Sequence, residues 1–214
     1  MTAERQAGIS GIAVAVLFGV GSAIWGLDMP EDGSPVLDVI DFYQDTADRI
    51  VIGGTLSLLA IAAFLWFAAA LRRVLADAEG NDVLATTAFA GGLLSMAAGI
   101  GAESINMAAA LRAQDDELSD ELAQSLFESS QILGSVATAV GLGVFALATA
   151  AVALRSGRVL PRVIAIAFGV LGVVLLSPLA HVNWLPGAAL VVITLVTGIL
   201  MLRDSAAETA RPGA

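Results

Sequence analysis

The chain has 214 residues, of which 57% are hydrophobic and 14% are charged, and its formal net charge is −10 at pH 7. Soluble domains usually contain about 25% charged residues, and here the apolar residues form long runs, which is typical of a polytopic membrane protein. The absence of cysteine excludes disulfides, thiolate metal sites and a cysteine nucleophile, and one histidine argues against a histidine-based metal site.

Six segments are long and apolar enough to cross a bilayer, since a spanning helix needs about 20 mostly apolar residues. They are 8–27, 50–71, 83–111, 132–154, 163–180 and 185–202. Prolines on both sides of 181-HVNW-184 predict a tight turn and a hairpin between the last two. The sequence therefore predicts an all-α polytopic bundle of six transmembrane helices in one domain over 1–203, and a disordered cytoplasmic tail over 204–214.

The arginines orient this bundle. With the N-terminus in the cytoplasm, eight of the ten arginines lie inside, and only Arg49 and Arg112 lie outside. The positive-inside rule therefore predicts an N-in, C-in protein. Ten arginines without a lysine, together with abundant Ala, Gly and Val, indicate a GC-rich bacterial genome and thus a multi-pass protein of the bacterial plasma membrane.

The first span carries small residues at intervals of three or four. Close approach of helices in lipid depends on such residues, so the stripe predicts a helix-packing surface. Its central members are Gly11, Ala15, Gly19 and Ser22. Arg5 before an apolar run also resembles a secretory signal, but the run is long and 22-SAIWGL-27 is a poor cleavage site, which favours an uncleaved span.

Acidic residues are concentrated in the two long outer loops, which hold thirteen acids against two arginines. After 34-SP-35, apolar residues recur at helical spacing from Val36 to Ala47, which predicts a short amphipathic helix. Leu118, Leu122 and Leu126 predict another in the second loop. The predicted acidic outer surface consists of Asp38, Asp41, Asp45, Asp48, Asp115, Asp116 and Glu117.

Two interpretations of this acidic surface are open. It is either a solvated face of two surface helices, or a vestibule that attracts cations or docks a basic partner. Neither loop has the ligand spacing and glycine of an EF-hand.

The third span contains a carboxylate, Glu103, on the same helical stripe as Ser95, Gly99 and Asn106. We expect this stripe to face other helices, because small residues mark packing surfaces and a charge in lipid is costly. A 29-residue segment is about 43 Å of helix against a hydrocarbon core of about 30 Å. Glu103 is therefore expected near the outer boundary of the membrane.

Polar residues at the same height define a predicted outer polar pocket. Its members are Glu103, Asn106, Gln131, His181, Asn183 and Arg49. In one interpretation Arg49 or His181 satisfies Glu103 and locks helices together. In the other, the pocket holds a cation or relays protons through a Glu–His pair, since histidine titrates near physiological pH. Trp25 and Trp184, at outer ends of spans, are interpreted as interfacial anchors.

The layout resembles the uncharacterised six-helix integral membrane proteins of GC-rich bacteria, grouped as domains of unknown function. The resemblance rests on the Gly-rich first span, the acidic outer segment, 70-ALRR-73, 90-AGGLL-94 and 154-LRSGRVLPR-162, and it covers nearly the full chain. It implies the topology predicted above and no catalytic residue.

Two functions lead from these patterns, ahead of an intramembrane enzyme, for which the sequence offers no paired catalytic constellation. The first is a non-enzymatic accessory or structural subunit whose acidic outer face meets a membrane-protein partner or a second copy. The second is a small transporter or channel-like protein for a cation or solute, with Glu103 and His181 at its outer mouth. Few polar residues occupy the inner halves of the spans, which places translocation second. No nucleotide-binding, nucleophile or zinc motif occurs, so no cofactor, metal or nucleic acid is expected.

Overall fold

Helices joined by short connections make up the part of the chain that the computed structural model describes, and no strand occurs there. The described residues are 2–31, 33–115, 117–178 and 184–209. The helices are α1 (Ala3–Trp25), α2 (Val36–Glu79), α3 (Val83–Gln114), α4 (Asp120–Ile132), α5 (Thr138–Ser156), α6 (Arg162–Leu175) and α7 (Leu185–Thr209). A 3-10 turn follows α1, and a π-helical segment, Leu133–Ala137, joins α4 to α5.

Five helical stretches are long and apolar enough to cross a membrane. They are Ala3–Asp28, Val36–Glu79, Val83–Gln114, Asp120–Ser156 and Leu185–Ala206. The prediction of an all-helical protein is thereby confirmed for the described residues, and the five apolar stretches support the prediction of a multi-pass membrane protein. In place of the predicted span 163–180, the described residues contain the apolar helix α6, which has 14 residues against the about 20 that a span requires.

Side chains and glycines at the helix ends explain several boundaries. Thr2 accepts a hydrogen bond from the Arg5 backbone N–H and begins α1, and the Ser119 hydroxyl begins α4 in the same way. The chain leaves α2 at Gly80, where φ is 77°, and α5 at Gly157, where φ is 65°. Left-handed residues of this kind end helices, and glycine adopts the conformation without strain.

The two amphipathic helices predicted for the outer loops are extensions of the spans. Helix α2 runs for 44 residues without a break, because neither proline nor glycine occurs between its start and Gly53. Its length is about 66 Å, roughly twice a hydrocarbon core of about 30 Å. The predicted tail also differs, since α7 continues to Thr209 through good helix formers such as Ala and Glu. Residues 210–214 lie outside the described part.

In space the helices follow the order α6, α5, α3, α2, α1, α7, each packed mainly on the next. The hairpin expected from the sequence is not a packed pair, because α6 lies along α5 and α7 along α1. Glycines decide these partners. A Cβ atom built on Gly172 would lie 2.9 Å from the Gly143 carbonyl oxygen, and one on Gly198 would lie 2.9 Å from that of Gly8.

Two hydrophobic cores lie at different levels of the bundle. The larger runs between the helices and contains the ring cluster of Phe64, Phe67 and Phe145. The second is at the end where α1 finishes and α2 begins. Its members are Trp25, Val39, Phe42, Tyr43, Ala47, Ile50, Ala109, Ala110, Ala113, Ala123 and Phe127. We call this core, with the segments 36–50, 106–115 and 120–130 around it, the acidic cap; the opposite end is the arginine end.

Candidate functional site

Glu103 lies on the face of α3 that packs against α2, and only 8% of its surface is exposed. Glycine at position 54 of α2 leaves room for its carboxyl group. A Cβ atom built on Gly54 would lie 3.3 Å from Glu103 Oε2 and 3.0 Å from Met107 Sδ. The Ser57 side chain, one turn further along α2, lies beside the same carboxyl group. A carboxyl group is thus held between two helices that approach closely.

Three buried polar atoms in this region have no hydrogen-bond partner among the described residues: Glu103 Oε2, Ser57 Oγ and Trp25 Nε1. The α1–α2 crossing brings the last two together. A Cβ atom on Gly53 would lie 3.1 Å from Trp25 Nε1, and one on Gly21 would lie 3.0 Å from Ser57 Oγ. We call Trp25, Gly53, Gly54, Ser57 and Glu103 the Glu103 cluster. Because buried polar groups are almost always hydrogen-bonded, three buried polar atoms without a partner in one region mark a candidate site.

Asn106 lies one helical turn from Glu103, toward the acidic cap. Its Oδ1 accepts a hydrogen bond of 2.9 Å from the hydroxyl group of Tyr43, which is fully buried. The Ser130 side chain of α4 lies beside the same tyrosine. This contact ties α2, α3 and α4 together and separates the Glu103 cluster from the outer part of the cap.

The polar partners predicted for Glu103 are placed elsewhere. Arg49 donates to Asp28 Oδ2 at 2.7 Å, and about half of each side chain is exposed, so the predicted Arg49–Glu103 pair is not formed. An exposed arginine keeps its hydration, whereas burial beside Glu103 would remove it. Gln131 donates to the sulfur atom of Met29 at 3.1 Å. His181 and Asn183 lie outside the described residues.

The predicted acidic surface is exposed wherever the structure describes it. These exposed residues are Asp38, Asp41, Asp45, Asp48, Asp115 and Glu117, and Asp116 lies outside the described residues. Asp38, Asp41 and Asp45 line a cavity of about 460 Å³ together with the Arg49–Asp28 pair. Across the described ranges, no three acidic, histidine or cysteine side chains are grouped so that they could hold a metal ion.

The small residues predicted to pack α1 have different surroundings. Gly11 meets α7, where an added Cβ atom would lie 2.7 Å from the Thr194 carbonyl oxygen, and Ala15 is buried. Gly19 and Ser22 are half-buried. The closest approach to α2 is made instead by Gly21, which lies beside the predicted stripe.

The π-helical segment Leu133–Ala137 packs on the other side of α3, next to Glu103. Gly134 faces Ala102, and Leu133 faces Gly101. The Thr138 hydroxyl donates to the Leu133 carbonyl group at 2.9 Å, and the Thr138 carbonyl group accepts from the Ser95 hydroxyl of α3 at 3.0 Å. The Ser95 hydrogen bond thus ties α3 to the end of the π-helical segment, a kind of turn that is frequent at functional sites.

Trp25, Ser57 and Tyr43 belong to the site but are absent from the predicted pocket. Trp25 matches the pattern of a membrane-interface tryptophan, and a serine inside a span reads as one more small residue. One signal was present: 53-GG-54 followed by Ser57 places two glycines and a hydroxyl on adjoining faces of one helix turn. Such a turn lets neighbouring polar side chains approach the backbone closely.

Comparison with models of protein families, with curated protein sequences and with solved structures finds no match in any of the three. The resemblance to six-helix membrane proteins of GC-rich bacteria stays a prediction from the layout of the sequence. Arguments on function therefore rest on the residues of this chain.

Proposed function

We propose that the chain is a six-span protein of the bacterial plasma membrane that acts without catalysis, as an accessory subunit that binds a partner through the acidic cap. The observation that carries the proposal is that the cap has a hydrophobic core of its own. A charged loop that serves only to keep one end of a membrane protein hydrated needs no such core. A surface that must keep its shape for a partner does need one.

The cap presents its charges on a rigid support. Tyr43, Phe127 and Phe42 pack with ring centroids 5.3 to 6.5 Å apart, and they fix α4 against the start of α2. The acids lie on the opposite, exposed face of α2. Electrostatic complementarity steers encounter and selects partners of opposite charge, so the chemistry of this face fits a basic protein surface.

The proposed orientation places the acidic cap outside and the arginine end in the cytoplasm. Arg72, Arg73, Arg155, Arg158 and Arg162 lie at the ends or connections of helices at the arginine end. In this proposal α6 takes the place of the sixth crossing, which makes the span count even.

Because the chain contains no cysteine, single cysteines can test this topology directly. We expect Asp45→Cys to react with a membrane-impermeant maleimide in intact cells stripped of their outer layers. Arg158→Cys and Asp204→Cys should react only after the membrane is opened. All three positions are exposed, so access depends on the side of the membrane. Labelling of both Asp45→Cys and Asp204→Cys from outside would exclude an even number of spans.

The partner is tested by neutralising the cap. We expect the variant Asp38→Asn/Asp41→Asn/Asp45→Asn to lose a stoichiometric protein partner that wild-type protein retains in native mass spectrometry after gentle extraction. The loss has an electrostatic cause, so binding by the wild type should also weaken as salt rises. Asp77→Asn/Asp204→Asn removes acids from the arginine end and should leave the partner bound. A lone chain in every sample contradicts the proposal.

Translocation of a cation or solute is the second candidate, and one observation favours it. Glu103 Oε2 is buried without a partner, and unsatisfied acids inside membranes often belong to transport pathways. In reconstituted vesicles, a transporter should lose cation-coupled uptake in Glu103→Gln while its thermal stability stays near the wild-type value. A subunit should change only in stability, and Glu128→Gln, at an exposed acid of α4, is the control for both.

A further inference from the structure

We propose that Glu103 is a proton-binding site, in which the protonated carboxyl group of α3 donates a hydrogen bond to Ser57 Oγ of α2 and exchanges its proton with water at the acidic cap. The inference goes beyond the proposed docking function, because it concerns a buried group that no partner touches. It is argued from the burial of the carboxyl group, from the surrounding charges and from the contacts that lead to the cap.

Hydrogen bonding between the two groups is possible with or without a proton on Glu103, because the Ser57 hydroxyl group can donate to a carboxylate or accept from the protonated acid. An ionised carboxylate only accepts hydrogen bonds, and a protonated one gains an O–H donor. In the described structure, the Glu103 carboxyl group and the Ser57 hydroxyl group lie beside each other, and neither Glu103 Oε2 nor Ser57 Oγ has another hydrogen-bond partner there. A proton taken from water onto Oε2 gives that atom a donor for Ser57 Oγ. Either arrangement pairs both buried atoms, so burial decides between them: only 8% of Glu103 is exposed, and a buried carboxylate without a compensating cation is far more costly than the neutral acid.

Charges that would hold Glu103 in the ionised form are missing from the elements packed around it, within the described ranges. On α3 the other charged residue is Arg112, more than two helical turns away. Arg49 of α2 is paired with Asp28. The segment Leu133–Ala137 contains no ionisable residue, and Glu128 of α4 is exposed and accepts a hydrogen bond from Gln124.

Two further titratable groups require separate treatment. The hydroxyl group of Tyr43 donates its hydrogen bond to Asn106 Oδ1, so it is not available as a donor to Glu103. His181 lies outside the described residues, and the experiment therefore includes it as a variant. On α1 the residue nearest to the cluster is Trp25, whose indole group does not ionise in water.

A short series of contacts connects the cluster to the aqueous cavity of the cap. Phe42 lines that cavity together with the acids of α2. The centroids of the Phe42 and Trp25 rings are 6.3 Å apart. Trp25 Nε1 lies beside Gly53, and Glu103 Oε2 packs against the next residue, Gly54. One layer of aromatic rings thus separates the acidic cavity from the carboxyl group. Movement of either ring would let a water molecule carry the proton across.

The ligand class follows from the available oxygen atoms. Metal cations require a shell of several oxygens. The Glu103 cluster offers one carboxyl group and one hydroxyl group as unused side-chain oxygens, and it adds an indole N–H that repels a cation. A proton needs only one acceptor and one hydrogen-bond partner, and the cluster supplies both.

Dicyclohexylcarbodiimide, which reacts with protonated carboxyl groups in apolar surroundings, tests the proposal on the full-length protein in detergent micelles. Peptide mass spectrometry should find the adduct on Glu103, and the rate should rise about tenfold for each unit of acidification above the midpoint of protonation, because only the protonated form reacts. Glu103→Gln should abolish the adduct, and Glu128→Gln should retain it. Ser57→Ala should lower the midpoint, because it removes the acceptor of the carboxylic O–H, whereas His181→Asn should leave the midpoint unchanged.

Three outcomes would overturn the proposal. One is an unreactive Glu103 at every pH, which would make it a closed structural group. Another is slower carbodiimide labelling of Glu103 in sodium chloride than in potassium chloride at the same pH. That result would assign the site to a sodium ion. A shifted midpoint in His181→Asn would assign the proton to a Glu–His pair.

Infrared difference spectroscopy keeps the test valid if the variants fail to fold. Wild-type protein should show a carboxylic-acid carbonyl band from a buried group that disappears on alkalinisation and does not depend on the carbodiimide. The partner experiment and this one fail independently, since neutralising the cap leaves the Glu103 carboxyl group in place.

Discussion

Gly53→Ala is expected to lower the stability of the protein by about 1–3 kcal/mol, the usual cost of overpacking a close contact. The added Cβ atom would lie 2.5 Å from the Gly21 carbonyl oxygen and 2.6 Å from Trp25 Cδ1. A backbone oxygen cannot rotate away, so α1 and α2 must separate. The measurement is the temperature at which half of the detergent-solubilised protein is lost from its size-exclusion peak.

Gly99→Ala is the matched control for this substitution. The nearest atom to a Cβ at position 99 is Ile61 Cδ1 at 3.5 Å, an ordinary contact. Alanine favours helices over glycine by about 0.5–1 kcal/mol, so the control should be neutral or slightly stabilising. Equal thermal stability of the two variants would mean that α1 and α2 do not approach as closely as described. Gly53→Ala should also change the carbodiimide labelling of Glu103, because it moves the helix that carries Ser57.

The helical class of the fold could be predicted from hydropathy alone, since apolar runs of this length have few alternatives in a membrane. The extent of the helices could not. Hydropathy reports where a segment leaves the lipid, and α2 continues as a helix on both sides of that point. Its outer part, 36–50, keeps its helical form because its apolar face packs on α3 and α4, contacts that depend on the tertiary structure.

Which helices pack against each other could also not be predicted from the sequence. A stripe of small residues indicates that a neighbour is close without identifying it. Gly11 meets α7 and Gly21 meets α2, although both belong to one helix. The predicted hairpin of the last two spans assumed that consecutive helices pack together, whereas α6 and α7 find glycine-lined surfaces on other helices.

For the candidate site, the sequence predicted the acid but not its partners. The small-residue stripe placed Glu103 and Asn106 toward the bundle, and both are buried. Arg49 was selected by its height in the membrane, although its position around α2 directs it to the exposed Asp28. Ser57 could be found only once the rotation of α2 relative to α3 was known. The depth of a residue in the membrane can be predicted from hydropathy. The direction in which its side chain faces around the helix is known only once the helices are packed.

Phe127→Ala is expected to loosen the acidic cap while the membrane-spanning bundle stays folded. Phe127 is 3% exposed and packs edge-on against Tyr43, with ring centroids 6.5 Å apart. Replacing a buried phenylalanine by alanine costs about 3–5 kcal/mol. Its contacts belong to the core of the cap and not to the larger core between the helices. We therefore expect the loss of stability to be local.

Hydrogen–deuterium exchange with peptide mass spectrometry is the measurement for this variant. Peptides from 36–50 and 120–130 should exchange faster, and peptides around Phe64 and Phe145 should keep their wild-type rates. Leu37→Ala is the control, because Leu37 is in the cap but 63% exposed. Faster exchange throughout the chain would mean that the cap and the bundle unfold as one unit.

The same variant separates shape from charge in the proposed docking function. Phe127→Ala keeps every acid of the cap, whereas the variant Asp38→Asn/Asp41→Asn/Asp45→Asn keeps the core. If the partner recognises a rigid arrangement of charges, both variants should lose it, because a mobile cap must be ordered again on binding. If charge density alone attracts the partner, Phe127→Ala should bind as wild type does. That second result would remove the reason for a separate hydrophobic core beneath the acidic surface.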